Sequence, residues 1–163
     1  MRRLLVVFSI SLAFAGFPQQ APAQSGWITY ADDAGTRVEY PSDVFSRESG
    51  SPEIGTGKRF STADGRAHLS IYTLPNSRGQ SPASYLKSNM KGPRRTLNYD
   101  RVARNFFAVS TNRNGRVLYR RCNFSRNRGG TMHCIDLAYP LSEKRAWDSP
   151  VTRISRSLRP LNS

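Results

Sequence analysis

Short segments in which hydrophobic and polar residues alternate occupy much of the chain after residue 26 and predict β-strands. The pattern is clear in Ala67–Leu74, where Leu69 and Ile71 are separated by a serine. Alternation with a period of two is typical of strands that bury one face. The predicted strands are Trp27–Tyr30, Thr36–Tyr40, Lys58–Thr62, Ala67–Leu74, Arg104–Thr111, Arg116–Phe124 and Thr131–Tyr139.

Turn sequences join these strands in pairs. Asp64-Gly65 and Asn114-Gly115 are dipeptides that favour tight hairpin turns. A further turn is expected at 127–130, and the segment 42–57 is rich in Ser, Gly and Pro and is expected to be a loop. The pattern therefore predicts antiparallel hairpins rather than alternating strands and helices.

Two segments have features of helices. Ser81 and Pro82 suit the N-cap and the first position of a helix, which should end at Gly92-Pro93. A closing helix is expected from Ser142, and Pro150 should break or restart it. The apolar residues expected to face the core are Tyr85, Leu86 and Met90 in the first helix, and Ala146, Trp147, Val151, Ile154 and Leu158 in the second.

The last hairpin has a register that can be calculated. If Arg128 is its centre, Cys122 lies opposite Cys134 and Arg120 lies opposite Asp136. Opposed Cβ atoms are roughly 4.5–5.5 Å apart, nearly within reach of a disulfide. We therefore expect Cys122–Cys134 to form a disulfide and Arg120 to pair with Asp136. The core side would carry Val117, Tyr119, Ile135, Leu137 and Tyr139.

Arg121 shares that core side. Its charged end must therefore extend to an edge of the sheet, or the register must shift at this point.

The same cysteines, with His68 and His133, could be considered zinc ligands. Structural zinc takes four ligands, however, and adjacent residues of a strand point to opposite faces, which separates His133 from Cys134. We therefore expect no metal and no other cofactor.

The first 23 residues have the three parts of a signal peptide. Arg2 and Arg3 are followed by the apolar run Leu4–Phe17, and Ala21 and Ala23 fit a cleavage site. The run is shorter than the roughly 20 residues that span a bilayer. Residues 1–23 are therefore predicted to be removed on export, which leaves 24–163 as a single periplasmic or secreted domain in a compartment where disulfides form.

The element order predicts an α+β fold, with an antiparallel sheet of about six or seven strands and two helical segments packed on it. This order resembles the PsbP-like fold at Tyr40-Pro41, at the strand Phe106–Ser110 and at the closing helix Ile154–Arg159. The stretches Phe106–Ser110 and Ala146–Pro160 are also similar to secreted proteins of alphaproteobacteria. The resemblance implies a curved sheet covered by helices, and a binding or assembly role rather than catalysis.

Positive charge is the feature most informative about function. The formal net charge is +14, and 21 of the 25 basic residues are Arg. Arg suits bidentate contacts with phosphate and carboxylate groups. The segment 91–128 holds eleven bases and one acid, Asp100. The candidate anion-binding residues, expected at turns and connections, are Arg94, Arg95, Arg113, Arg116, Arg126 and Arg128.

The predicted partner is an anionic component of the cell envelope, either a lipid headgroup or a lipopolysaccharide phosphate, or else an acidic protein. Export argues against nucleic acid, which is the usual partner of such a charge. The alternative is that the charge only keeps the protein in solution.

No catalytic motif is present in the sequence, and we expect no enzymatic activity. The alternative is a small periplasmic hydrolase that uses His68 or His133 as its base. Each of these residues lies in a predicted half-buried strand, where a structural role is the simpler interpretation.

Overall fold

The computed structural model describes residues 26–89, 97–125 and 130–160. The predicted signal peptide, residues 1–23, lies outside these ranges. The elements are β1 Trp27–Ala31, β2 Thr36–Pro41, β3 Arg47–Glu48, β4 Thr56–Ser61, β5 His68–Pro75, α1 Pro82–Asn89, β6 Tyr99–Val102, β7 Phe106–Arg113, β8 Arg116–Phe124, β9 Thr131–Pro140, the 3₁₀ turn Leu141–Glu143, α2 Lys144–Ser157 and β10 Arg159–Pro160.

Two antiparallel sheets form the framework. The larger has seven strands in the order β3-β4-β5-β9-β8-β7-β6, and the smaller has the order β1-β2-β10. The α+β class, the strand number of the main sheet and the two helices match the prediction. The smaller sheet was not predicted. It forms because Arg159 and Pro160, near the C-terminus, pair with Arg37 and Thr36 in β2.

The register of the β8–β9 hairpin is the predicted one. Cys122 lies opposite Cys134 and forms a disulfide with it. Arg120 lies opposite Asp136 and binds it through two hydrogen bonds, of 2.7 and 2.6 Å. Both pairs join the two central strands on the same face of the sheet.

Side chains of the main sheet alternate between two faces. We call the side with Arg120 and Asp136 the groove face, and the side with Arg121 and Ile135 the α2 face. The larger apolar cluster lies on the α2 face, where α2 and the small sheet cover it. On the groove face α1 covers the end near the disulfide, where Leu86 packs in the smaller cluster. The remainder of the groove face lies open.

The predicted cap of α1 and the predicted turns at Asp64-Gly65 and Asn114-Gly115 agree with the structure, and Gly65 has a φ of 70° in the β4–β5 connection. Ser84 donates its backbone N–H to the Ser81 hydroxyl at 3.2 Å, which caps α1. The expected end of this helix at Gly92-Pro93 and its buried Met90 lie outside the described residues. Asn114 and Gly115 have φ values of 50° and 70°, as the tight β7–β8 turn requires.

Three predictions are wrong. The segment 42–57, expected to be a loop, contains β3 and the start of β4, because Arg47 and Glu48 pair with Ser61 and Phe60. The edge strand β6, Tyr99–Val102, was not expected, because only its last residue is aliphatic. Pro150 does not interrupt the closing helix, since α2 runs from Lys144 to Ser157. A proline removes one backbone donor, and the burial of Trp147 and Ile154 on the same helix outweighs that loss.

Candidate functional site

Arg113 and Arg116 lie directly opposite each other at the ends of β7 and β8. Cross-strand partners point to the same side, so both belong to the groove face. Arg113 is exposed, and Arg116 donates to the carbonyl of Ala138 at 3.2 Å. The structure therefore brings these two predicted residues together. Four others lie outside the described residues: Arg94, Arg95, Arg126 and Arg128.

An open groove of about 380 Å³ crosses β4, β5, β9, β8 and β7 on the groove face. Its lining includes Ile54 and Leu118, which are 41% and 37% exposed. Glu53 also lines the groove. The groove is thus partly apolar and open to solvent.

The floor of this groove is a closed network. Asp136 accepts both bonds from Arg120 and a third from the Tyr72 hydroxyl at 3.1 Å. Burial, and then the neighbouring carboxylate, raise the pKa of Tyr72 far above its ordinary value. Asp136 is therefore engaged in the fold and is not placed to act as a base.

His68 lies at one end of the groove, in β5. Its Nδ1 atom is buried and has no hydrogen-bond partner. Burial lowers the pKa of His68, and the positive charges of Arg59 and Arg116 lower it further. These influences favour the neutral form of the imidazole.

His133 is buried on the α2 face, with 3% of its surface exposed. Its Nδ1 lies 3.0 Å from the Thr36 hydroxyl, and its Nε2 lies 3.4 Å from the Ser125 hydroxyl. That hydroxyl donates at 2.7 Å to the carbonyl of Thr131, so its proton is not available to His133. This geometry is that of a structural histidine that links β9 to β2.

A second basic hollow, of about 530 Å³, lies on the α2 face between β6–β8 and α2. Arg101 on β6 and Arg121 on β8 are both register partners of Ala108 on β7. Strands are about 4.8 Å apart, so the two arginines start roughly 10 Å apart with a small side chain between them. Their guanidinium carbons lie 5.6 and 4.2 Å from the centroid of the Phe106 ring.

Arg121 keeps its register and directs its charge into this hollow. Its Nε donates to Asn123 at 3.0 Å, and one terminal nitrogen lies 3.4 Å from the Ser155 hydroxyl. Burial lowers the pKa of Arg121, and the charge of Arg101 lowers it further. Within the described ranges no carboxylate pairs with Arg101, Arg121 or Arg156, which all line the hollow.

The remaining charges of the hollow neutralise each other, since Lys144 binds Asp148 at 3.0 Å. The cluster of three arginines was not predicted from the sequence. The sequence pointed to Arg121, because the predicted register places this cation on the core side of the sheet. It did not point to Arg101, because β6 was not predicted.

The described residues contain no group of three or more His, Cys, Asp or Glu side chains placed to hold a metal ion. None of the helices in the described ranges is long and apolar enough to cross a membrane.

Comparison with known proteins shows the fold. No protein-family model matches the sequence, and no curated protein matches it either. The solution structure of cyanobacterial PsbP (CyanoP) from Synechocystis sp. PCC 6803 is similar, with a TM-score of 0.61 over 92% of this chain and 97% of that one. The two sequences are 13% identical. The chain therefore has the PsbP-like fold.

Proposed function

We propose that this chain is an exported, non-catalytic binding module that attaches to anionic components of the cell envelope. The partners are lipid headgroups or lipopolysaccharide phosphates, and the attachment runs through exposed arginines of the groove face. The location would be the periplasm or the extracellular space. The predicted signal peptide and the Cys122–Cys134 bond support that location, since disulfides persist in oxidising compartments.

The observation that carries the proposal is the opposition of Arg113 and Arg116. Like charges directly opposite each other on a sheet destabilise it. In the part of the chain that the structure describes, no carboxylate pairs with either residue. Arg59 adds a further guanidinium beside His68 on the same face. Such a patch attracts anions and repels other cations.

The fold supports a binding role without specifying the ligand. PsbP-like domains generally act as binding or assembly modules, which agrees with the absence of a catalytic motif in the sequence. His133 is buried, and its serine neighbour bonds elsewhere. His133 therefore does not favour a hydrolase over a binding module.

Co-sedimentation with lipid vesicles tests the proposal. The mature protein should bind phosphatidylglycerol vesicles at low salt and leave phosphatidylcholine vesicles in solution. Binding should weaken as salt rises, because the Debye length falls from about 10 Å at 0.1 M to about 3 Å at 1 M. Equal binding to both kinds of vesicle at low salt would mean that the charge serves only to keep the protein in solution.

The two predicted clusters can be separated by mutation. Arg113→Ser with Arg116→Ser removes one, and Arg126→Ser with Arg128→Ser removes the other. The strands of the meander place the two connections at opposite ends of β8, so we expect each double variant to weaken binding in part. A pull-down from envelope extract would then identify an acidic protein, should one compete with the lipid.

A further inference from the structure

We propose that the basic hollow on the α2 face is a binding site for a phosphorylated sugar, distinct from the surface that adsorbs to vesicles. The hollow lies on the opposite face of the sheet from Arg113 and Arg116. The test of this site is therefore independent of the test of the proposed function.

The first argument is an imbalance of charge. Arg101, Arg121 and Arg156 line one hollow, and no carboxylate of the described residues pairs with them. Arg121 is half-buried, and removing a cation from water without a counter-charge is costly. An anion that binds in the hollow from solution would supply the counter-charge that Arg121 lacks.

The second argument is geometric. Arg101 and Arg121 flank Ala108, whose single methyl group leaves the space between them open. The Phe106 ring lies close to both guanidinium groups. Planar guanidinium groups bind phosphate oxygens in pairs, and a phosphate monoester offers three such oxygens. The arrangement suits a phosphate held between two arginines, with Arg156 approaching from α2.

The third argument concerns the rest of the lining. Asn98, Tyr99, Ser110 and Asn112 line the hollow and carry hydrogen-bonding groups. Tyr99 is 44% exposed and carries an aromatic ring. Amides and hydroxyls of this kind bind sugar hydroxyls, and the volume of about 530 Å³ is that of a small-molecule site. A phosphate attached to a sugar therefore matches both the arginines and the polar side chains that line the hollow.

Titration calorimetry and amide NMR with soluble probes test the site on the whole mature protein. Glucose 1-phosphate should bind more tightly than inorganic phosphate, and glucose should not bind measurably. The shifted amides should be those of Phe106, Ala108 and Ser110. Shifts spread evenly over the exposed arginines, or the absence of binding by glucose 1-phosphate, would overturn the proposal.

Charge-matched variants distinguish a specific binding site from non-specific electrostatic attraction. Arg121→Gln and Arg156→Gln should each weaken glucose 1-phosphate by roughly tenfold, as the loss of a charge-assisted hydrogen bond implies. Arg37→Gln and Arg145→Gln remove the same charge from exposed positions outside the hollow and should leave the affinity within about twofold. Equal losses in all four variants would contradict the site. Arg156 is exposed on α2, so its variant remains informative if Arg121→Gln fails to fold.

A phosphorylated sugar can reach the hollow as a free ester or as the headgroup of a glycolipid. Once glucose 1-phosphate has been shown to bind, competition on vesicles that contain lipopolysaccharide distinguishes the two sources. Release of the protein by excess glucose 1-phosphate assigns the headgroup to the hollow. Retention assigns the hollow to the free ester and the vesicle contact to the groove face.

Discussion

The guanidinium carbon of Arg121 lies 4.2 Å from the centroid of the Phe106 ring. The contact stabilises a cation that the register of β8 places on the core side of the sheet. It is a partial compensation, because a cation–π contact contributes about 0.5–1 kcal/mol at exposed sites. Burial still lowers the pKa of Arg121, which means that the environment disfavours its charge. The desolvated charge of Arg121 therefore lowers the stability of the fold.

Replacing Arg121 with methionine should therefore leave the free energy of unfolding unchanged or raise it by about 1 kcal/mol. Methionine keeps the apolar stem and removes the desolvated charge. Urea denaturation of the two proteins measures the difference. Arg145→Met, at an exposed position on α2, is the control and should change stability by less than about 0.5 kcal/mol. A loss above about 1 kcal/mol for Arg121→Met alone would show that the charge stabilises the fold.

The Cys122–Cys134 disulfide closes a loop with a sequence separation of 12 residues. A loop of this length should contribute about 3 kcal/mol, chiefly by restricting the unfolded chain. The double variant Cys122→Ala with Cys134→Ala should lose that amount in guanidinium denaturation. Reduced wild-type protein should unfold at the same concentration as the variant. A loss below about 1 kcal/mol would mean that the bond constrains little.

The two histidines should make the protein less stable in mild acid. Burial lowers the pKa of both His68 and His133 in the folded state, below the ordinary value of 6.5. Below that pH the unfolded chain gains protons that the folded chain binds less readily, so stability falls as pH decreases. The charges that lower the pKa of His68 are those of Arg59 and Arg116.

Denaturation at pH 7.5 and pH 5.5 tests this dependence on His68. The wild-type protein should lose stability between these values, and His68→Gln should lose less. Part of the loss should remain in the variant, because His133 keeps its own contribution. An identical loss in both proteins would show that His68 titrates alike in the folded and unfolded states.

Gly57 lies where β4 passes close to β5. A methyl group at this position would lie 2.0 Å from the carbonyl oxygen of Ile71 and 2.7 Å from the Tyr72 Cα atom. Both are backbone atoms, so Gly57→Ala should destabilise the protein by about 2–3 kcal/mol. Gly65→Ala meets only the strain of its positive φ, at a cost of about 1 kcal/mol. Thermal denaturation giving the reverse order would contradict this close approach of the two strands.

Local patterns were sufficient for the elements that depend on near neighbours in sequence. The Cys122–Cys134 and Arg120–Asp136 pairs lie in one hairpin, so a turn position determined both. The Asn114-Gly115 turn likewise depends only on residues that are adjacent in the sequence.

Elements that depend on distant partners were not predictable in this way. β6 has a single aliphatic residue and forms because β7 offers it a partner. β10 is two residues long and exists only through its pairing with β2. The hollow combines β6, β8 and α2, which no local pattern brings together. Its arginines could be counted in the sequence, but their convergence could not be foreseen.

The central claim is that attachment depends on particular arginines, among them Arg113 and Arg116 on the groove face, rather than on net charge. Arg113→Ser with Arg116→Ser removes two charges from the groove face, and Arg37→Ser with Arg145→Ser removes two from exposed positions on the small sheet and α2. Each arginine near an anionic surface contributes about 1 kcal/mol. The first variant should therefore bind phosphatidylglycerol vesicles about 30-fold more weakly at low salt.

The most direct measurement is the affinity of these two variants and the wild-type protein for the same anionic vesicles, in parallel and at one low salt concentration. The account predicts a large loss for the groove-face variant and an affinity within about threefold of wild type for the control. Equal losses in the two variants would show that net charge alone attracts the protein to the surface, and would contradict a binding face.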